Sequence, residues 1–129
     1  MPRHSQRSTR GRDSYKQGRI AEYIALFYLF LKGYKFIKSR YRNKSGEIDL
    51  LMYKKRQLII IEIKAGKNIT SRDWHPVSAK QQRRIKNAAT IFYHKNQSRW
   101  RDGMRFDVIL INTNFLPPSF PIKHFKNEF

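Results

Sequence analysis

Two apolar runs separated by a short charged break constrain this chain more than any other feature. They read Gly46-Glu47-Ile48-Asp49-Leu50-Leu51-Met52-Tyr53 and Leu58-Ile59-Ile60-Ile61-Glu62-Ile63-Lys64. If Lys55-Arg56 is a two-residue turn, they form a β-hairpin. One face then pairs Asp49 with Glu62, Leu51 with Ile60 and Tyr53 with Leu58, and sets Glu47 opposite Lys64. The other face pairs Ile48–Ile63, Leu50–Ile61 and Met52–Ile59 and is wholly apolar. Lys-Arg lacks the Asn or Gly that a type I′ turn favours, so a longer loop and a shifted register stay open. A slip of one residue would send Asp49 and Glu62 to opposite faces.

Two carboxylates facing each other a few Å apart repel unless a cation lies between them. A divalent ion held by Asp49, Glu62 and the Ile63 carbonyl, with water completing an oxygen shell, answers that repulsion, and Mg²⁺ (or Mn²⁺) suits such donors. Lys64 would point into the same space, to orient an attacking water or steady charge on a scissile phosphate. The plainer reading is a ladder of surface ion pairs, each worth under ~1 kcal/mol. Against it, Glu62 ends the run Leu58-Ile59-Ile60-Ile61, which reads as a buried strand, and charges there are rarely left unpartnered.

Charge narrows the partners. The 129 residues carry 28 Lys and Arg against 9 Asp and Glu, a formal net charge of +19, and such a surplus is usually tolerated where a polyanion supplies the counter-charge. Nucleic acid is the first candidate and an anionic membrane the second. There is no cysteine, which excludes disulfides, thiolate zinc sites and a cysteine nucleophile, and fits a cytoplasmic protein. No run reaches the ~20 apolar residues of a membrane span. Residues 1–14 are basic and serine-rich without an apolar h-region, and read as a disordered basic arm preceding a single domain over 15–129.

From Gly18 to Lys32 the apolar residues are dense enough for a helix buried over much of its circumference, stopped by Gly33. Glu22 lies on it, and spacing alone favours an exposed helix acid. Tyr34 to Lys38 reads as a short strand, followed by a basic loop from Arg40 to Gly46. Arg40, Arg42 and Lys44 there, Lys67 in the polar loop after Ala65, and Arg83 further on are candidates for phosphate contacts. A second helix begins near Val77, with Ser78 as its N-cap and Ala79, Ile85, Ala88, Ala89 and Phe92 as its buried stripe. Gln82 falls at the edge of that stripe. Trp74 fits either a stack on a base or a cap on the core, the more frequent fate of a lone Trp, and Arg99-Trp100-Arg101 fits either a nucleic-acid contact or a surface loop. Arg105 to Ile111 is a buried strand whose Asp107 is structural rather than catalytic. None of the four histidines has metal-ligand spacing. Pro117-Pro118 forces an extended exit toward an edge strand from Ile122.

Asp49, a hairpin and then Glu62-Ile63-Lys64 resemble the D…(D/E)-x-K core of the PD-(D/E)XK nuclease superfamily. The wider pattern is similar to one branch, the UPF0102 or YraN-like proteins, related to archaeal Holliday junction resolvases. Its parts are Gly18…Glu22, Gly46-Glu47-Ile48-Asp49-Leu50, Glu62-Ile63-Lys64, Gln81-Gln82-Arg83-Arg84-Ile85 and the ending His124-Phe125-Lys126-Asn127-Glu128-Phe129. The resemblance implies a three-layer α/β/α, restriction-endonuclease-like fold with a mixed central β-sheet. It also implies a Mg²⁺-dependent endonuclease hydrolysing DNA phosphodiester bonds, in branched or repair and recombination intermediates. Asp49 and Glu62 would be metal ligands, Lys64 the catalytic lysine, Glu22 an auxiliary acid and Gln82 a helix residue facing the site. The chain departs from the pattern at Gly66, where an arginine is usual, and at Arg40, where Asn is common. A non-catalytic nucleic-acid-binding protein on the same scaffold is the alternative, and a ribosome- or membrane-associated basic adaptor a third. By analogy with the resolvases, a homodimer is expected.

Overall fold

The computed structural model describes residues 19–66, 77–112 and 122–129. The arm at 1–14, Lys67, Trp74 and Pro117-Pro118 lie outside those residues. Helix α1 occupies 19–31 of the described chain, followed by β1 (Lys35–Asn43), β2 (Gly46–Lys54) and β3 (Gln57–Gly66). Helix α2 (Ala79–Lys95) leads through a 3₁₀ turn at Gln97–Arg99 into β4 (Met104–Asn112), and β5 (Ile122–Phe125) comes last.

The strands form one sheet in the order β1-β2-β3-β4-β5. It is mixed: β3 and β4 run parallel, joined through α2, and the other pairs are antiparallel. Alternation along the strands divides the core in two. Leu51, Leu58, Ile60, Phe106 and Val108 pack against Ile85, Ala88 and Ala89 of α2. Leu50, Met52, Ile59, Ile61, Ile109 and Ile111 pack against Ala21, Ala25 and Leu29 of α1. Helix, sheet and helix make three layers, an α/β/α architecture of the restriction-endonuclease-like kind. The continuous isoleucine run of β3 is apolar on both faces because both faces are covered.

Local chemistry explains the boundaries. Gly33 has φ 88, and Tyr34 N and Gly33 N donate to Leu29 O and Phe30 O, both at 3.0 Å, a Schellman ending in which glycine takes the left-handed position. Ser78 caps α2 by accepting from Gln81 N at 3.2 Å. Ala79, expected in the buried stripe, is exposed, because it is the first helical residue and precedes the turn that meets the sheet. The β2–β3 hairpin has the two-residue turn and the register expected, from Leu50↔Ile61 to Lys54↔Gln57. Lys55 and Arg56 adopt φ 50 and 63, so the type I′ backbone forms without Asn or Gly. Main-chain bonds support it from outside: Asp102 N donates to Arg56 O and Leu58 N to Gly103 O, each at 3.0 Å.

Three further expectations are corrected. Arg40 to Asn43 belong to β1 rather than to a loop, and only Lys44 and Ser45 form the turn. Buried Tyr41 pairs with Ile48, and Asn43 Oδ1 accepts from Ser45 N at 2.9 Å to close that turn. The Arg-x-Arg run concealed a strand with one face inward. Trp100 is core, 1% exposed, its ring centroid 5.6 Å from that of Tyr53 and 6.1 Å from that of Phe92. Ile48 packs in the α2 cluster instead of joining Leu50 on the α1 side, because β2 rotates about Asp49.

Candidate active site

The rotation at Asp49 builds the site. Pairing of β2 with β3 ends at Leu50↔Ile61, so Asp49 and Glu62 are not ladder partners as the idealised hairpin has them. Instead Ile63 N–H donates to Asp49 Oδ2 at 2.9 Å, and the side chain replaces the missing strand contact. On the other side β1 stays in one register with β2 through Ser39↔Leu50 and Tyr41↔Ile48, while Arg40 between them has φ 53. The β2–β3 ladder stops short of this point, and the two carboxyl groups lie together at the end of a buried strand. Glu47, expected opposite Lys64, turns to Arg42 at 3.2 Å on the surface.

The electrostatics of the pair follow from burial. Glu62 is 5% exposed, and its Oε1 is buried without a hydrogen-bond partner. Burial first, and the Asp49 charge second, push the Glu62 carboxyl up to about 8. Asp49 is also raised, by burial above all; the Ile63 N–H, the Glu62 carboxyl and the Lys64 charge pull it partly back. Two carboxyl groups this close in a poorly solvated place resist ionising together. Lys64 acts favourably on both, as expected of a neighbour two residues along the same face.

Glu22 reaches the same neighbourhood from α1. Its charge adds to the upward pressure on Asp49, while its own oxygens accept from Arg40 Nε at 2.8 and 3.0 Å. Arg40 is therefore held at the edge of the site by an acid, not extended from a loop. Gln82 is used locally: its Nε2 donates to Val77 O at 2.8 Å, steadying the entry to α2. Among the described residues no group of three or more His, Asp or Glu side chains is arranged to hold a metal ion; the acidic core is the Asp49–Glu62 pair. That pair nevertheless fits a divalent cation, since a cation would neutralise both charges and give the orphaned Glu62 Oε1 a partner.

Of the basic candidates, Arg42, Lys44 and Arg83 are exposed. The β1–β2 turn abuts α2 so closely that a Cβ on Gly46 would lie 3.2 Å from Arg84 O, and Asn43 Nδ2 donates to Ala88 O at 3.0 Å. This contact brings Arg42 and Lys44 to the same corner as Arg83 and Arg84, near Asp49 on β2. A side chain at Gly46 would force the Arg84 main chain back by a few tenths of an ångström.

Asp107 is a structural centre away from that corner, as the sequence indicates. Arg105 donates to both its oxygens at 2.8 and 2.7 Å, His124 Nε2 lies 2.7 Å from Oδ2, and Asn127 N donates at 3.0 Å. Arg105 also donates to Tyr34 Oη at 2.8 Å, and Phe129 packs on Phe106 with centroids 5.1 Å apart. The terminal H-x-x-N-x-F spacing thus has a physical basis: three of its members fasten the end of the chain to β4. The histidine reading missed this partner because Asp107 and His124 meet only across the β4–β5 pair.

Fold and site together define an α/β/α domain of restriction-endonuclease-like architecture with a carboxylate pair and a lysine where two central strands part. A model of the family described as "Uncharacterised protein family UPF0102" matches residues 21–111. The chain is 36% identical over 117 residues to a UPF0102 protein of Agrobacterium fabrum, covering 88% of this chain and 92% of that one. It is 34% identical over 113 residues to one of Brucella canis, with 88% and 85% covered, and 31% over 110 residues to one of Rhizobium etli, with 85% and 89% covered. The chain belongs to the UPF0102 family. No helix among the described residues is long and apolar enough to cross a membrane.

Proposed function

We propose that this protein is an endonuclease that hydrolyses DNA phosphodiester bonds with Mg²⁺ or Mn²⁺. The observation that carries the reading is the Asp49–Glu62 pair, two carboxyl groups held up by burial with one Glu62 oxygen unpartnered. A fold stabilised only by its core has no use for such a pair, because apolar residues there would avoid the desolvation. Asp49 and Glu62 would hold the ion, which when bound supplies Lewis-acid polarisation of the phosphate and activates the attacking water. Lys64 stands beside them to orient that water and to offset charge developing on phosphorus oxygens. Glu22 positions Arg40 at the rim, and the corner formed by Arg42, Lys44, Arg83 and Arg84 supplies phosphate contacts.

The test is a panel of branched, flapped, single-stranded and duplex DNAs incubated with Mg²⁺ or Mn²⁺. Cutting that disappears in Asp49→Ala and Glu62→Ala, and falls about 100-fold or more in Lys64→Met, supports the reading. Absence of cutting across the panel, or cutting that survives Asp49→Ala, overturns it. The commitment of Glu22 to Arg40 favours a second reading, a nucleic-acid-binding protein that keeps the nuclease scaffold without turnover. Calorimetric titration of Mn²⁺ into wild type and Glu62→Ala separates them, since binding alone requires no metal at this pair.

A further inference from the structure

Helix α1 is apolar nearly all round: among residues 19–31 only Arg19 and Glu22 are charged. A helix of that composition is ordinarily buried on every side, yet among the described residues only one side is covered. Ala21, Ala25 and Leu29 face the sheet at successive four-residue steps and are 0–1% exposed. The opposite side carries Ile20, Tyr23, Phe27 and Phe30, with Leu31 beside them, all between 53% and 71% exposed. Their spacing of three, four and three residues is the a/d pattern of a helix that packs along another helix. Next to this seam lies a groove of about 320 Å³ between α1 and the sheet, lined by Tyr23, Phe27, Phe30, Phe36 and Met52.

We infer that this face is a self-association surface, on which α1 of a second copy of this chain packs in an isologous, two-fold arrangement. Three observations select that occupant. The spacing is that of a helix partner, and each copy brings both the ridge of α1 and the groove to receive one, the self-complementarity that two-fold symmetry demands. With Phe36 from the groove, the exposed apolar residues number six, four of them aromatic and all more than half exposed; at ~150–250 Å² for a whole aromatic side chain they present on the order of 700 Å² per copy. Specific, stable interfaces bury about 600–1,000 Å² per partner, a range that includes this area. Charge decides the rest. Two chains of net charge +19 repel over most of their surfaces, and the seam, which has no Lys or Arg among its apolar members, is a face that two copies can bring together.

The inference is independent of the catalytic reading and is tested without activity. Sedimentation equilibrium of the full chain at 0.5 M salt, about three times physiological ionic strength and enough to screen the repulsion, should give twice the monomer mass. Lowering the salt should weaken the association, the reverse of nucleic-acid binding. Phe27→Glu and Phe30→Glu, at exposed positions and checked for unchanged helical circular dichroism, should each weaken it about 100-fold, since every substitution enters the interface twice. Should either glutamate variant lose its helical signal, Phe27→Ala with Phe30→Ala replaces it, with the same expectation. A wild type that stays monomeric at all concentrations, or a dimer unaffected by the folded variants, overturns the inference. So does a monomer that floats with neutral phosphatidylcholine vesicles and loses that binding in Phe27→Glu, which would assign the face to lipid.

Discussion

Glu62 ends an apolar run, is 5% exposed and faces Asp49 with one oxygen unpartnered, so its proton equilibrium reports on the fold. In metal-free protein its carboxyl is raised from 4.5 to about 8. The native state therefore holds a proton that the unfolded chain has released, and between those pH values stability falls as pH rises. The contribution is full below 4.5 and lost on passing through about 8. Chemical denaturation in chelator should show this decline in wild type, and Glu62→Gln should flatten it. Asp107 behaves in the opposite sense: burial raises it, but His124, Arg105 and the Asn127 N–H outweigh burial and hold it below the usual 3.8. Its contribution is present above 3.8 and lost as pH falls through its lowered native value. Asp107→Asn should cost about 3 kcal/mol at neutral pH by leaving Arg105 and His124 uncompensated, measurable as a lowered urea midpoint. The residue types at both centres were legible in the sequence. Their pairings were legible only in part, because Asp107 and His124 are 17 residues apart and nothing local links them.

At the scale of elements, periodicity was a good guide wherever a face is buried along its whole length. The β2–β3 register from Leu50↔Ile61 to the turn, the α1 ending at Gly33 and the Ser78 cap are as expected, since each rests on chemistry within a few residues. The β2–β3 turn forms despite its residues rather than because of them. Lys55 and Arg56 both sit at positive φ, so replacing them together with Asn-Gly should raise stability by about 1 kcal/mol, read as an increased melting temperature. Gly33→Ala should do the reverse and cost about 1 kcal/mol, because φ 88 is strained for any side chain. The β1 boundary was misread for a related reason. Arg40, Arg42 and Lys44 suggest solvent, and the strand is revealed only by Tyr41, Asn43 and their contacts with β2 and α2.

Over the whole molecule, the +19 charge separates two kinds of association. If DNA is the partner, affinity should fall steeply with salt, and Lys44→Gln and Arg83→Gln should each lessen the salt slope by about 1, measured by fluorescence anisotropy across a salt series. The apolar seam of α1 should respond in the opposite direction. By itself the sequence determined the hairpin, the buried isoleucine strand, the two helices and their stops, and the concentration of acid and lysine at Asp49, Glu62 and Lys64, because short-range periodicity specifies which side chains must leave water. Only the tertiary structure decided how the carboxylates meet: through a break in β-pairing at Asp49, with Ile63 N–H and the Glu22–Arg40 pair around it. It also decided that Trp100 is core and that one side of α1 is exposed among the described residues. Those outcomes depend on which distant elements compete for the same face, and a one-dimensional pattern of polarity does not carry that information.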